Sequence, residues 1–140
     1  METVEGPDGR RYIRLKRSSQ ASLVHDPVAD ETTYLPNTDL EPIRDESPLS
    51  LAAAVVHPDV RRLCGAVPSE RALGLLVTLD TEPLPVRRLL EETTYCESDL
   101  FGVLRSLTVA GLLERDPDAT EDTYRTTETA SRALERLRQS

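Results

Sequence analysis

The chain has 140 residues, of which 38% are hydrophobic and only 4% aromatic, and a formal net charge of -8. That length holds one domain, or one domain plus a small appendage, with a core built from Leu, Val and Ala because Trp is absent. The longest apolar stretch, LAAAVV at 51–56, is too short to span a bilayer and there is no signal peptide, so the expected setting is cytoplasmic.

Among 17 cations only Lys16 is a lysine, while Asp, Glu and Thr are abundant. This balance suits the cytoplasm of an extreme halophile, where acidic surfaces stay hydrated in molar salt; an acidic bias in a GC-rich bacterial genome is the plainer alternative. Residues 1–46 hold six cations and ten acids, and residues 47–140 eleven and fifteen. The charge asymmetry therefore belongs to one short stretch, not to either part as a whole.

That stretch comes first in the chain. After a turn signal at Pro7-Asp8-Gly9, RRYIRLKR at 10–17 reads as a strand, with Ile13 and Leu15 on one face and Tyr12, Arg14 and Lys16 on the other. Five cations and one aromatic, with no acid between them, suit contact with phosphates and stacking on bases, through Arg14 and Lys16. The same charges also suit an edge strand blunted against aggregation. QASLVHD at 20–26 and ETTYLP at 31–36 complete a three-stranded antiparallel β meander, and DLEPIRDESP at 39–48 reads as a linker.

From Ser47 the pattern is mostly helical. Ser47-Pro48 is an N-cap followed by proline at the first helical position. A short helix runs to about Val56, and His57-Pro58 restarts a second one, with Leu63 and Cys64 expected in the core. In SERALGLLVTLD, Ala72, Leu75, Leu76 and Leu79 share one face. Glu82-Pro83-Leu84 is extended, and PVRRLLEETT is a helix with Val86, Leu89 and Leu90 inward and Arg87 and Arg88 outward. Tyr95-Cys96 is a turn, where Cys96 packs or caps weakly.

The helix that follows stacks Leu100, Leu104, Leu107 and Gly111 along one face. Leu112-Leu113 opens a hairpin whose tip is the acidic DPDATED and whose return strand is Thr123-Tyr124-Arg125. Thr126 or Thr127 caps a last helix with an apolar stripe of Ala130, Ala133, Leu134 and Leu137. The fold class read from this order is α+β: the small meander over 1–46, then a mostly helical winged helix-turn-helix domain over 47–140.

SERALGLLVTL, PLPVRRLLEE, CESDLFGVLRSLTVAGLLERD and YRTTETASRAL stand in the order of winged helix-turn-helix transcription regulators of the MarR and ArsR type, which residues 69–138 resemble. With the strands in front, the whole chain resembles an uncharacterised haloarchaeal family. The resemblance implies a regulator that binds double-stranded DNA, with the longer helix in the major groove. It also implies a homodimer through the last helix, at Leu134 and Leu137.

Projected at about 100° per residue, the outward face of that helix is Ser98, Gly102, Arg105 and Val109, with Phe101 and Ser106 at its edges. Ser98, Arg105 and Ser106 are thus the expected groove contacts, and Arg87, Arg88, Arg115 and Arg125 the expected phosphate contacts. Phe101, Val109 and the acidic wing point instead to a protein-protein interaction module on the same scaffold. An enzyme is not expected: no motif pairs a nucleophile with a base, and no Gly-rich loop cradles phosphate. No cofactor or metal is expected either. His25, His57, Cys64 and Cys96 lie 32, 7 and 32 residues apart, unlike any zinc ribbon or finger.

Overall fold

The computed structural model describes residues 1–139 as two compact units, 1–57 and 58–139. The first is an antiparallel sheet of five strands, not three. β1 (Glu2–Glu5), β2 (Arg11–Arg17), β3 (Ala21–Asp26), β4 (Glu31–Pro36) and β5 (Glu41–Ile43) lie in the order β4-β3-β2-β1-β5. β2, β3 and β4 are the expected meander. β1 and β5 were hidden because ETVE offers one apolar side chain and EPI sits in what reads as a charged linker.

Turn chemistry sets the registers. Gly9 takes a φ of 79° between β1 and β2, a left-handed conformation open to glycine at little cost. Gly6 is needed for a different reason: a Cβ there would lie 2.8 Å from Cε2 of Tyr12. Asn37 fastens the other end of the sheet. Its amide donates to the Ser18 carbonyl at 2.8 Å, and its side-chain oxygen accepts from the buried Ser22 hydroxyl at 2.5 Å. The core is small: Val4, Tyr12, Val24 and Leu40.

β2 departs from simple alternation. Arg14 pairs with Val24 and Lys16 with Leu23, so Leu15 is the extra residue of a bulge. Two expectations are reversed on this strand. Leu15 is 46% exposed, while Tyr12, Ile13 and Arg14 are buried in succession. α1 (Pro48–Ala53) closes this unit, its Ser47 cap accepting from the Leu49 N–H at 3.2 Å. It packs with β1 and β2, so the unit ends after His57 rather than after Glu46.

The second unit contains α2 (Pro58–Ala66), α3 (Glu70–Thr81), β6 (Leu84–Pro85), α4 (Val86–Glu92), α5 (Glu97–Val109), β7 (Leu113–Arg115), β8 (Thr123–Thr126) and α6 (Glu128–Arg138). β6, β8 and β7 form a small antiparallel sheet in that order. Helix, strand, helix, turn, helix, hairpin, helix is the arrangement of a winged helix. Leu76, Leu79, Leu89, Leu100, Leu104, Leu107, Leu112 and Leu113 fill its core with almost no exposure.

The ends of α5 and α6 are held by local chemistry. Gly111 turns the chain out of α5 with a φ of 79°. Thr127, one of the two expected caps, begins α6: its hydroxyl accepts from the Ala130 N–H at 3.2 Å and donates to the Gly111 carbonyl at 2.7 Å. Two expectations fail here. Cys64 is exposed rather than in the core, lying beside Leu63 on a helix with only one buried face. Leu134 is buried within its own unit and so is not available to a second copy, whereas Leu137 is exposed.

Candidate nucleic-acid interface

α5 is the element around which a surface can be built. Leu100, Leu104 and Leu107 anchor one side of it in the core, which turns Ser98, Phe101, Gly102, Arg105, Ser106 and Val109 outward. Cys96 precedes the helix and makes no side-chain cap; its Sγ lies 3.5 Å from the Ser98 hydroxyl. Glu97 and Asp99 occupy the first turn, where the helix dipole favours negative charge. Val109 is 83% exposed and Phe101 39%, so the outward face carries real apolar area.

The cations around this helix fall into two groups. Arg105 is exposed and has no hydrogen bond or ion pair among the described residues. Arg87 and Arg88 on α4 are engaged. Arg87 reaches across to the wing, its Nε 3.3 Å from Glu121 Oε1, and also lies 3.6 Å from Glu91. Glu121, by hydrogen bond and charge, holds the Arg87 proton even more firmly than usual. Arg88 pairs with Glu92 at 3.0 Å, one helical turn on.

On the wing, Arg125 pairs with Glu114 at 3.1 Å and Asp116 at 3.6 Å. Arg115 donates to the Tyr124 hydroxyl at 3.3 Å, lies over its ring at 5.7 Å, and has Asp122 at 3.6 Å. Each of these is a solvent-screened surface pair, so a phosphate can replace the carboxylate at modest cost.

Two open grooves flank α5. One, of about 310 Å³, is lined by Phe101, Arg105, Thr108, Val109, Arg115 and Tyr124. The other, of about 370 Å³, is lined by Ser98, Gly102 and Ser106 of α5 together with Ser69, Arg71 and Tyr95. The structure thus brings Ser98, Arg105 and Ser106 together on one helix and adds Arg115 beside Arg105.

Arg71 was not among the expected contacts. Its guanidinium lies 3.9 Å above the Tyr95 ring, a contact between distant parts of the chain that no local pattern signals.

Arg14 and Lys16 belong to the other unit, and they divide. Lys16 is exposed, without an ion pair among the described residues. Arg14 is only 6% exposed and pairs with Glu2, the residue opposite it on β1, so it does not present a charge to phosphate. Tyr12 is also buried, its hydroxyl donating to Asp8 at 3.2 Å, and is no stacking platform. Of the histidines and cysteines, His25 lies 3.1 Å from the Thr32 hydroxyl and 3.4 Å from Asp30, and both thiols are free and exposed. No helix among the described residues is long and apolar enough to cross a membrane.

No curated protein matches the chain. A solved structure, the ArsR-like transcriptional regulator from Rhodococcus sp. RHA1, is similar at 20% identity with a TM-score of 0.45, over 58% of this chain and 80% of that one. Residues 1–138 match a family of unknown function, DUF7346, and the chain belongs to it.

Proposed function

We propose that this chain is a sequence-specific DNA-binding protein, a transcription regulator whose α5 enters the major groove. The observation that carries this reading is the outward face of α5: an unpaired, exposed Arg105 with Ser98 and Ser106, on a helix fixed by buried leucines beside a wing. A major groove about 12 Å wide admits one helix, and an arginine there reads guanine through two acceptors. Ser98 and Ser106 read either donors or acceptors. Arg115, Arg87, Arg88 and Arg125 exchange their carboxylates for phosphates. A homodimer through α6 presents Leu137.

The acidic composition fits a host with molar salt. At that salt the Debye length is about 3 Å, which screens the repulsion between the acidic wing tip and DNA. It also removes most of the gain from counterion release, so binding rests on close contacts made by α5.

The exposed Phe101 and Val109 favour a second reading, a protein-interaction module that uses the same helix. Genome-wide chromatin immunoprecipitation of the tagged protein in its native host separates the two. Discrete peaks that vanish in Arg105→Ala are expected from a DNA reader. A flat profile for the native chain overturns that reading in favour of the second.

A further inference from the structure

We infer that Arg71 is a phosphate anchor, holding the sugar-phosphate strand on the side of α5 opposite the wing; this rests on the DNA-binding reading above. A helix in the major groove has one strand on each side of it. α5 has one groove on each side too, and each contains an arginine from a different element. Arg115 lines the groove beside Phe101 and Val109, and Arg71 lines the groove beside Ser98, Gly102 and Ser106.

Three observations single out Arg71. It is exposed and has no carboxylate partner among the described residues, whereas Arg87, Arg88, Arg115, Arg125 and Arg132 each have one. In a chain with 25 acids and 17 cations, an arginine left unpaired on a functional face is one whose charge is available. Next, it is not loose. Its guanidinium is 3.9 Å from the centre of the Tyr95 ring, and Tyr95 is itself buried, with a hydroxyl that has no hydrogen-bond partner among the described residues. Stacking fixes the plane of the guanidinium while leaving its N–H edge free, so little rotamer entropy is lost when an anion binds.

Finally, the wall it faces is low and polar. A Cβ added at Gly102 would meet nothing within 4 Å, and the exposed hydroxyls of Ser98 and Ser106 flank that gap. Asp99 also lines this groove, and its charge opposes an anion there, so the stacked guanidinium has to outweigh it.

The test uses the full chain and a labelled duplex of random sequence, because a phosphate contact is independent of base sequence. Binding is followed by fluorescence anisotropy over a salt series that reaches molar concentration. Arg71→Ala is expected to weaken binding about tenfold and to flatten the salt dependence by roughly one charge. Arg71→Gln, which keeps much of the side chain against Tyr95, is expected to do the same. Arg71→Lys keeps the charge but not the planar stack, so its affinity falls while its salt slope stays native. Arg136→Ala, which removes an exposed charge from α6, controls for net charge and is expected to change neither quantity.

Native affinity and slope in both Arg71→Ala and Arg71→Gln overturn the inference, as does an Arg136→Ala loss equal to theirs. Absence of duplex binding by the native chain overturns it as well. Failure of the DNA-binding reading shows up separately, as no duplex binding by the native chain, whereas failure of the anchor alone leaves native-chain binding that the Arg71 variants retain.

Discussion

The two compact units are built on different principles. The helical unit is a leucine core: α3, α4, α5 and α6 each bury one stripe. The sheet unit buries four hydrophobic residues in its cluster, beside Thr3, Arg14, Ser22 and Asp26. Its order comes from strand pairing, turns and side chains that satisfy backbone groups, with Asn37 tying β3 to the β2–β3 turn. One unit is held mainly by area removed from water, the other by strand pairing and side-chain ties, although the buried Thr3 hydroxyl and Arg14 Nε have no hydrogen-bond partner among the described residues.

That contrast can be broken by substitutions of each kind, with stability read from denaturant titration. The largest effect is expected at Leu104→Ala, which removes a fully buried side chain from α5 and costs about 2–5 kcal/mol. Val24→Ala in the sheet, equally buried but flanked by few apolar neighbours, costs roughly 2 kcal/mol. Asn37→Ala strands the buried Ser22 hydroxyl and costs about 1–3 kcal/mol. A neutral Asn37→Ala would show that the sheet is held by its apolar core after all.

A gain is expected at Cys96→Ser. The N-cap position of α5 has no side-chain acceptor, and serine supplies one, adding about 0.5–1 kcal/mol. No change in the unfolding midpoint would mean that water already satisfies the first turn of α5.

The smallest effect concerns pH. Asp8 accepts from the Arg10 N–H at 3.1 Å and from the Tyr12 hydroxyl at 3.2 Å, and these bonds hold its carboxyl below the usual Asp value. A depressed folded value contributes stability above the ordinary Asp range that is lost as pH falls through the folded value. Asp8→Asn is therefore expected to flatten the acid limb of the melting-temperature profile. An unchanged acid limb would remove Asp8 from the account.

The same contrast explains what could be read in the residues alone. The stripe of Leu100, Leu104 and Leu107, the turn at Gly111 and the cap at Thr127 are local patterns, and all appear where their spacing places them. β1 and β5 are not local patterns. Val4 is the only aliphatic side chain in β1, and β5 exists because β1 offers it an edge. Arg14 keeps the face it shares with Tyr12, but that face is the packed one, with Arg14 opposite Glu2 on β1, and the Leu15 bulge shifts the alternation only beyond it.

The candidate site divides in the same way. The outward face of α5 follows from helical geometry and was legible. Which arginines are free was not, because Arg87 is engaged by Glu121 and Arg71 is held by Tyr95, both far along the chain.

The most direct test of the central claim, that the outward face of α5 reads DNA, is selection from a pool of randomised duplexes in high salt. The native chain and Arg105→Ala are compared, both checked for native melting. The account predicts that the native chain enriches one motif and that Arg105→Ala loses enrichment at a guanine within it. No motif for the native chain, or the same motif for both proteins, contradicts it.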